Sequence, residues 1–238
     1  MTIKAIAVLG LTLAFFISPV FVPFDGFNPT LYPIPQFTPP VLPAGYAFSL
    51  WGIIYLWLLV MAAVGLWRFR EDPAWDATRP GFILSMIAGV PWLAVAEVSP
   101  VWATVMIYVM LVGALWALIR APRKDAWMLA GPLGLYAGWL TAASSVALGL
   151  TGAGWGIGGL SDVVWGLIAL CVALSIALVV LWKRPSLTYG AAVVWALVAI
   201  MVRNDFGGQV AMLAGVGVVI VAGTTLWFRA RRPALATH

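Results

Sequence analysis

Residues 161–182 read SDVVWGLIALCVALSIALVVLW and run straight into Lys183-Arg184. The run carries one charge, Asp162 in its first turn, and has the roughly 17 to 25 apolar residues a helix needs to cross hydrocarbon. Comparable apolar runs occupy 5–23, 46–67, 80–97, 100–119, 127–149, 187–202 and 209–228. Threading them alternately through a bilayer puts Lys4 on one side. With it go Arg68, Arg70 and Arg79, then Arg120, Arg123 and Lys124, then Lys183 and Arg184, and finally Arg229, Arg231 and Arg232. Of the 13 Lys and Arg residues, only Arg203 falls opposite. A run added or dropped in the middle would scatter these charges, so the positive-inside bias supports the count as well as the orientation. The expectation is an all-α polytopic membrane protein with eight transmembrane helices and both termini cytoplasmic.

Composition agrees. With 63% hydrophobic residues, 9% charged and a mean hydropathy of +1.04, the chain has too few charges to cover a water-soluble surface. The formal charge of +5 would point to nucleic acid in a soluble protein. Here the basic residues sit at helix ends, where topology and anionic headgroups account for them. Cys171 stands alone inside the sixth run, which leaves no disulfide framework and makes it a packing residue. The first run follows Lys4 but lacks a small-x-small cleavage site, so it reads as a retained anchor rather than a signal peptide.

The longest connection, 24–45, holds Pro29, Pro33, Pro35, Pro39, Pro40 and Pro43 together with Phe24, Phe27, Tyr32 and Phe37. Its prolines forbid a helix, and its aromatics favour either a lid on the outer mouth or an interfacial loop at headgroup level. The 68–79 loop is mixed in charge and cytoplasmic. Ser99-Pro100 provides an N-cap and first helical residue, so the third and fourth spans form a tight hairpin. The glycine-rich 149–159 stretch has a G-x-G-x-G-G pattern, but no strand precedes it and no Lys follows, which removes a nucleotide loop. Gly134, Gly138 and Ala142, and likewise Ala211 and Gly215, mark faces of close helix approach. No 4+4 repeat of the kind found in inverted-repeat transporters is visible.

Chemistry-bearing residues are few. The single His is His238, and no His, Cys or carboxylate pair has metal-ligand spacing. Ionisable residues gather on the outer side: Asp25, Glu97, Asp162, Arg203 and Asp205, with Asn28, Asn204 and Gln209 nearby. Glu97 lies closest to hydrocarbon, and charges at that depth usually turn toward a bundle or a wet cavity. These residues read as local caps and an Arg203–Asp205 ion pair, as a polar gate to an outward cavity, or as a proton or ion path. Tryptophan is the other anomaly, at 14 residues. Trp67, Trp75, Trp127, Trp182 and Trp227 fit the aromatic belt. Trp51, Trp92 and Trp139 lie deeper, with Tyr55 one turn beyond Trp51 on the same face; they read either as core packing or as flat walls for a planar or polyene ligand.

The stretch Leu42-Pro-Ala-Gly-Tyr-Ala-Phe-Ser-Leu-Trp51-Gly-Ile-Ile-Tyr55 resembles the start of the second helix in the TspO/MBR family of tryptophan-rich sensory and translocator proteins. There a proline-rich loop leads into a W-x-x-x-Y element. Tyr136-Ala-Gly-Trp139-Leu-Thr-Ala-Ala143 resembles the family's fifth-helix signature, and Trp92 fits its third-helix Trp. Two departures stand out: the third-helix Asn of the family is Gly89 here and the fifth-helix Asn is Ala147, which argues for a more apolar or differently shaped guest. The resemblance implies a five-helix TspO/MBR-like bundle over 1–150, followed over 151–238 by three additional helices and a basic cytoplasmic tail.

It also implies a pocket for a porphyrin, carotenoid or sterol-like molecule, contacted by Trp51, Tyr55, Trp92, Tyr136, Trp139 and Ala143, with no covalent cofactor. Trp51 and Trp139 match the pair implicated in the porphyrin breakdown proposed for some members; no general base or metal accompanies them, and no enzyme is expected. The expected function is a carrier or sensor of a hydrophobic tetrapyrrole-, sterol- or isoprenoid-like ligand in a bacterial inner membrane, working against the lipid bilayer with a homodimer or membrane-complex partner and no nucleic acid. A small-solute permease using the outer carboxylates and a structural subunit of a larger complex are the alternatives.

Overall fold

The computed structural model describes residues 1–22, 26–122 and 126–230. Phe24, Asp25, Arg123, Lys124, Arg231, Arg232 and His238, and with them most of the expected basic tail, lie outside the described residues. The helices are α1 (Thr2–Phe21), α2 (Leu50–Trp67), α3 (Pro73–Asp76), α4 (Arg79–Gly89), α5 (Trp92–Ala96), α6 (Pro100–Arg120), α7 (Gly131–Gly154), α8 (Asp162–Lys183), α9 (Leu187–Arg203) and α10 (Gly208–Ala230). No strand occurs among the described residues. Six helical stretches are long and apolar enough to cross a membrane: α1, α2 with its lead-in turn, α6, α7 with its lead-in turn, α8 and α10.

The two remaining expected spans are shorter or broken. The 17-residue α9 extends about 25 Å at about 1.5 Å per residue. The expected span 80–97 is not one helix: α4 ends at Gly89 and α5 restarts after Pro91. Proline lacks an N–H and its ring clashes with the preceding turn, which accounts for the break.

α7 is the axis of the bundle. It packs against α2, α6, α8 and α9, and 20 of its 24 residues are buried, as expected for a helix apolar on every face. It also runs to Gly154, past the expected end at 149. The late glycines are contact surfaces rather than loop residues. A Cβ on Gly152 would collide with the Trp165 ring, and one on Gly154 with the Tyr32 ring. The turn that follows uses glycine differently: Gly156 and Gly158 stand at φ +61° and +71°, which only glycine adopts freely. The expected close faces are present, with Gly134 and Gly138 against the start of α9 and Gly215 against Met201. A pair that the sequence reading missed joins α4 to α6. A Cβ on Gly113 would lie 2.6 Å from the Gly81 carbonyl oxygen and 2.7 Å from the Ser85 nitrogen.

The two ends of the bundle are pinned differently. At the basic end Arg79, 4% exposed, donates to the carbonyls of Gly65, Phe69, Arg70 and Met1 and to Asp76. Lys4 of α1 meets Asp76 at 2.7 Å. Burial raises the Asp76 carboxyl, and its hydrogen bonds and charge interactions with Lys4 and Arg79 outweigh that and hold it below the usual carboxylate range. The second basic-end tie is Arg184, which donates to the Ala121 carbonyl at 3.1 Å.

At the far end the 26–45 segment lies on the protein. Ile34 N–H donates to the Gly154 carbonyl at 2.8 Å, and Ala44 N–H to that of Ala199 at 3.0 Å. Asn204 Nδ2 donates to the Pro40 carbonyl at 2.8 Å. Tyr32 and Val41 form a small second core with Leu150 and Ala169. The Ser99-Pro100 hairpin is present, with Ser99 Oγ accepting from Trp102 N–H.

Candidate ligand cavity

A cavity of about 260 Å³ lies toward the far end, between α1, α2, α5, α6, α7, α9 and the 26–45 segment. The local sequence explains its walls. On α2, Trp51 and Tyr55 are one turn apart and share a face; their rings stack at 5.2 Å and 22°. On α7, Trp139 and Ala143 repeat that spacing, and the Trp139 ring meets Trp51 edge-on at 6.1 Å and 81°. Phe48, in the turn before α2, closes on the Trp139 ring at 5.9 Å. Trp92 comes from α5, the helix that the Pro91 break sets off from α4, and Phe27 of the loop packs against it at 5.9 Å.

Trp51, Tyr55, Trp92, Trp139 and Ala143 therefore line one cavity. Tyr136, which the sequence reading grouped with them, is not in the lining. It is fully buried behind the wall, and its hydroxyl donates to Ser85 Oγ at 2.9 Å, which in turn donates to the Met110 carbonyl at 2.8 Å.

The described outer ionisable residues do not join the cavity. Glu97, Asp162, Arg203 and Asp205 are exposed and none lines it. Asp162 accepts from Val163 N–H in the first turn of α8, and among the described residues no ion pair joins Arg203 to Asp205. Asp25 lies outside the described residues. Asn204 acts as an anchor for the loop rather than as part of a gate.

Several lining residues escaped the sequence reading: Phe15 of α1, Phe48, Leu93, Ile107 and Met110, and above all Ala196 and Ile200 of α9. The α9 pair follows i, i+4 spacing, a pattern too common on apolar helices to single out. Phe15 had a hidden signal in Gly89. A Cβ there would lie 3.1 Å from the Phe15 ring and 3.2 Å from Met110 Cε. The missing side chain is what lets Phe15 reach Trp51 and Tyr55, at 5.9 and 4.9 Å.

The polar inventory is short. Among the described residues only the indole N–H groups and the Tyr55 hydroxyl bring side-chain polarity to the lining. Trp92 Nε1 donates to the Ala103 carbonyl at 2.9 Å. Trp139 Nε1 is buried and has no acceptor. Among the described residues no group of three or more His, Cys, Asp or Glu side chains is placed to hold a metal ion.

Fold and cavity together define a polytopic α-helical membrane protein built around an aromatic-walled site. The family model described as "TSPO-like protein" matches residues 6–227, and the chain belongs to that family. The match runs on through α8, α9 and α10, beyond the five-helix unit expected over 1–150. Neither the curated proteins nor the solved structures give a significant match.

Proposed function

We propose that this protein binds a hydrophobic small molecule, of tetrapyrrole, sterol or isoprenoid type, in the aromatic cavity and acts as its carrier or sensor. Its setting in this reading is a bacterial inner membrane, with both termini on the cytoplasmic side given by the basic residues. The observation that carries the reading is the convergence of Trp51, Tyr55, Trp92 and Trp139, from three different helices, on one cavity with an apolar lining. Small-molecule sites are concave and mostly apolar, with a few placed polar groups. Family membership is consistent with it, and so is the part that α9 takes: Ala196 and Ile200 complete the wall, and the Ala199 carbonyl and Asn204 hold the loop. In this reading the three C-terminal passes belong to the site.

The test is recovery of the full chain in mild detergent, with mass and absorption analysis of what co-purifies, followed by titration of the emptied protein. An apolar guest should quench tryptophan emission saturably. Replacing both Trp51 and Trp139 by Phe should weaken it by about 1 kcal/mol, the scale of an aromatic pair beyond its buried area. No saturable binding of any apolar guest would end the proposal.

A further inference from the structure

The Trp139 indole is 2% exposed and its Nε1–H has no acceptor. Three other indoles show how the donor is normally satisfied. Trp92 donates to Ala103, Trp165 to Ile157 and Trp195 to Ala47, all to backbone carbonyls within 3.1 Å. The rings packed on Trp139, those of Phe48 and Trp51, offer only π faces, which are weak acceptors. A buried donor without a partner is costly and rare in native proteins. Trp139 belongs to the cavity wall, so a guest oxygen that reaches Nε1 would relieve it.

Two further observations restrict that guest. Among the described residues no charged side chain lines the cavity. The cation nearest in sequence to the lining is Arg203, which follows Ile200 by three residues on α9, is exposed and stays outside the wall. A carboxylate taken into such a site would lose its hydration with nothing to pair with. The volume of about 260 Å³ exceeds the about 150 Å³ that holds benzene in a dry apolar cavity and falls just short of the about 300–1,000 Å³ of drug-sized pockets.

We infer that the cavity selects a neutral, largely hydrocarbon guest carrying a hydrogen-bond acceptor oxygen, such as a cyclic isoprenoid ketone or a quinone, and that this oxygen accepts from Trp139 Nε1. Anionic tetrapyrroles with free propionates are disfavoured. This rests on the cavity being the binding site and adds the class of molecule it takes.

The experiment uses three probes on the detergent-solubilised full chain, each corrected against empty micelles: β-ionone, its deoxygenated hydrocarbon, and a carboxylate on the same ring skeleton. The ketone should bind about tenfold more tightly than the hydrocarbon, the scale of one hydrogen bond to an otherwise unsatisfied buried donor. The carboxylate should bind at least about tenfold more weakly than the ketone. In Trp139→Phe the roughly tenfold preference for ketone over hydrocarbon should disappear, whatever the variant does to both affinities together. The infrared carbonyl stretch of bound ketone should lie below its value in alkane for the wild type and return toward it in the variant.

Equal binding of ketone and hydrocarbon by the wild-type protein overturns the inference while leaving the cavity as a site; this comparison needs no variant to fold. A carboxylate that binds as tightly as the ketone, whether or not Arg203→Gln abolishes it, overturns the selection for neutral guests. Failure of every probe to bind saturably removes the cavity reading itself.

Discussion

Ala196→Leu separates binding from stability. Ala196 lies on α9 and its side chain forms part of the cavity wall. Leucine there projects into empty space rather than into packed atoms. The cavity is about 260 Å³; filling about a quarter of it at about 24 cal/mol per Å³ returns about 1.5 kcal/mol of packing. The same atoms occupy guest volume, so affinity for an apolar guest should fall at least about tenfold, or about 1.4 kcal/mol. The two effects have opposite signs. Thermal unfolding in detergent without guest should move upward, while the tryptophan-quenching titration moves to weaker binding. A control at Met212, exposed on α10 away from the cavity, should move neither when replaced by Leu. Lower stability with unchanged affinity would mean that the larger side chain meets packed atoms and that α9 does not border the site, which refutes the reasoning.

Arg79→Ala should lower stability by about 3–5 kcal/mol, the scale for removing one partner of a buried charge pair, because four carbonyls lose this donor and Asp76 keeps only Lys4; denaturant-induced unfolding reads it. The depressed Asp76 carboxyl stays ionised longer in the folded protein than in the unfolded chain, so its contribution is complete above the ordinary carboxylate value of about 4 and is lost as pH falls through the folded value. Acid unfolding should therefore begin at a higher pH in Lys4→Gln, and an unchanged acid limb would count against the Lys4–Asp76 contact. Gly113→Ala should cost about 1–3 kcal/mol, since its Cβ meets backbone on α4; stability within about 0.5 kcal/mol of wild type would contradict the close crossing. Tyr32→Ala, which empties the buried ring site beside Gly154, should raise amide exchange at residues 26–45 relative to the helices. Unchanged protection there would mean that the backbone bonds of Ile34 and Ala44 suffice.

The fold was largely readable because a membrane helix must satisfy its own backbone and end in charge, so length and Lys/Arg placement carry the answer. The readings that missed concern features that apolarity does not encode. Pro91 sits inside an uninterrupted apolar run, and its missing N–H and its ring divide α4 from α5. Gly152 and Gly154 look like loop residues until the rings of Trp165 and Tyr32 are placed on them. Trp51, Tyr55, Trp92 and Trp139 were legible from depth, spacing and resemblance. Tyr136 shares a face with Trp139 by i, i+3 spacing, yet it is turned behind the wall by the Ser85–Met110 hydrogen bonds. The contribution of α9 was invisible, because Ala196 and Ile200 have no chemical mark and are brought in by tertiary packing alone.

Position 89 joins the resemblance to the geometry. The resemblance sets the third-helix Asn of the TspO/MBR pattern at the position of Gly89, and here the space beside Gly89 is filled by Phe15 and Met110. A Cβ alone would lie 3.1 Å from the Phe15 ring, so the remaining atoms of an Asn side chain must displace that ring. Phe15 in turn packs on Trp51 and Tyr55, so the displacement runs into the cavity wall. Gly89→Asn should therefore cost about 1–3 kcal/mol as overpacking and change guest affinity without touching a lining residue. If the cost comes from this one collision, Phe15→Ala should remove most of it. The double variant should then be more stable than the sum of the single effects predicts by about 1 kcal/mol or more, since residues in contact couple on that scale. Thermal or denaturant unfolding of the four proteins in the cycle measures it. Additive effects would show that Phe15 and position 89 do not compete for the same space, and that the apolar lining of this cavity has a cause other than the loss of that side chain.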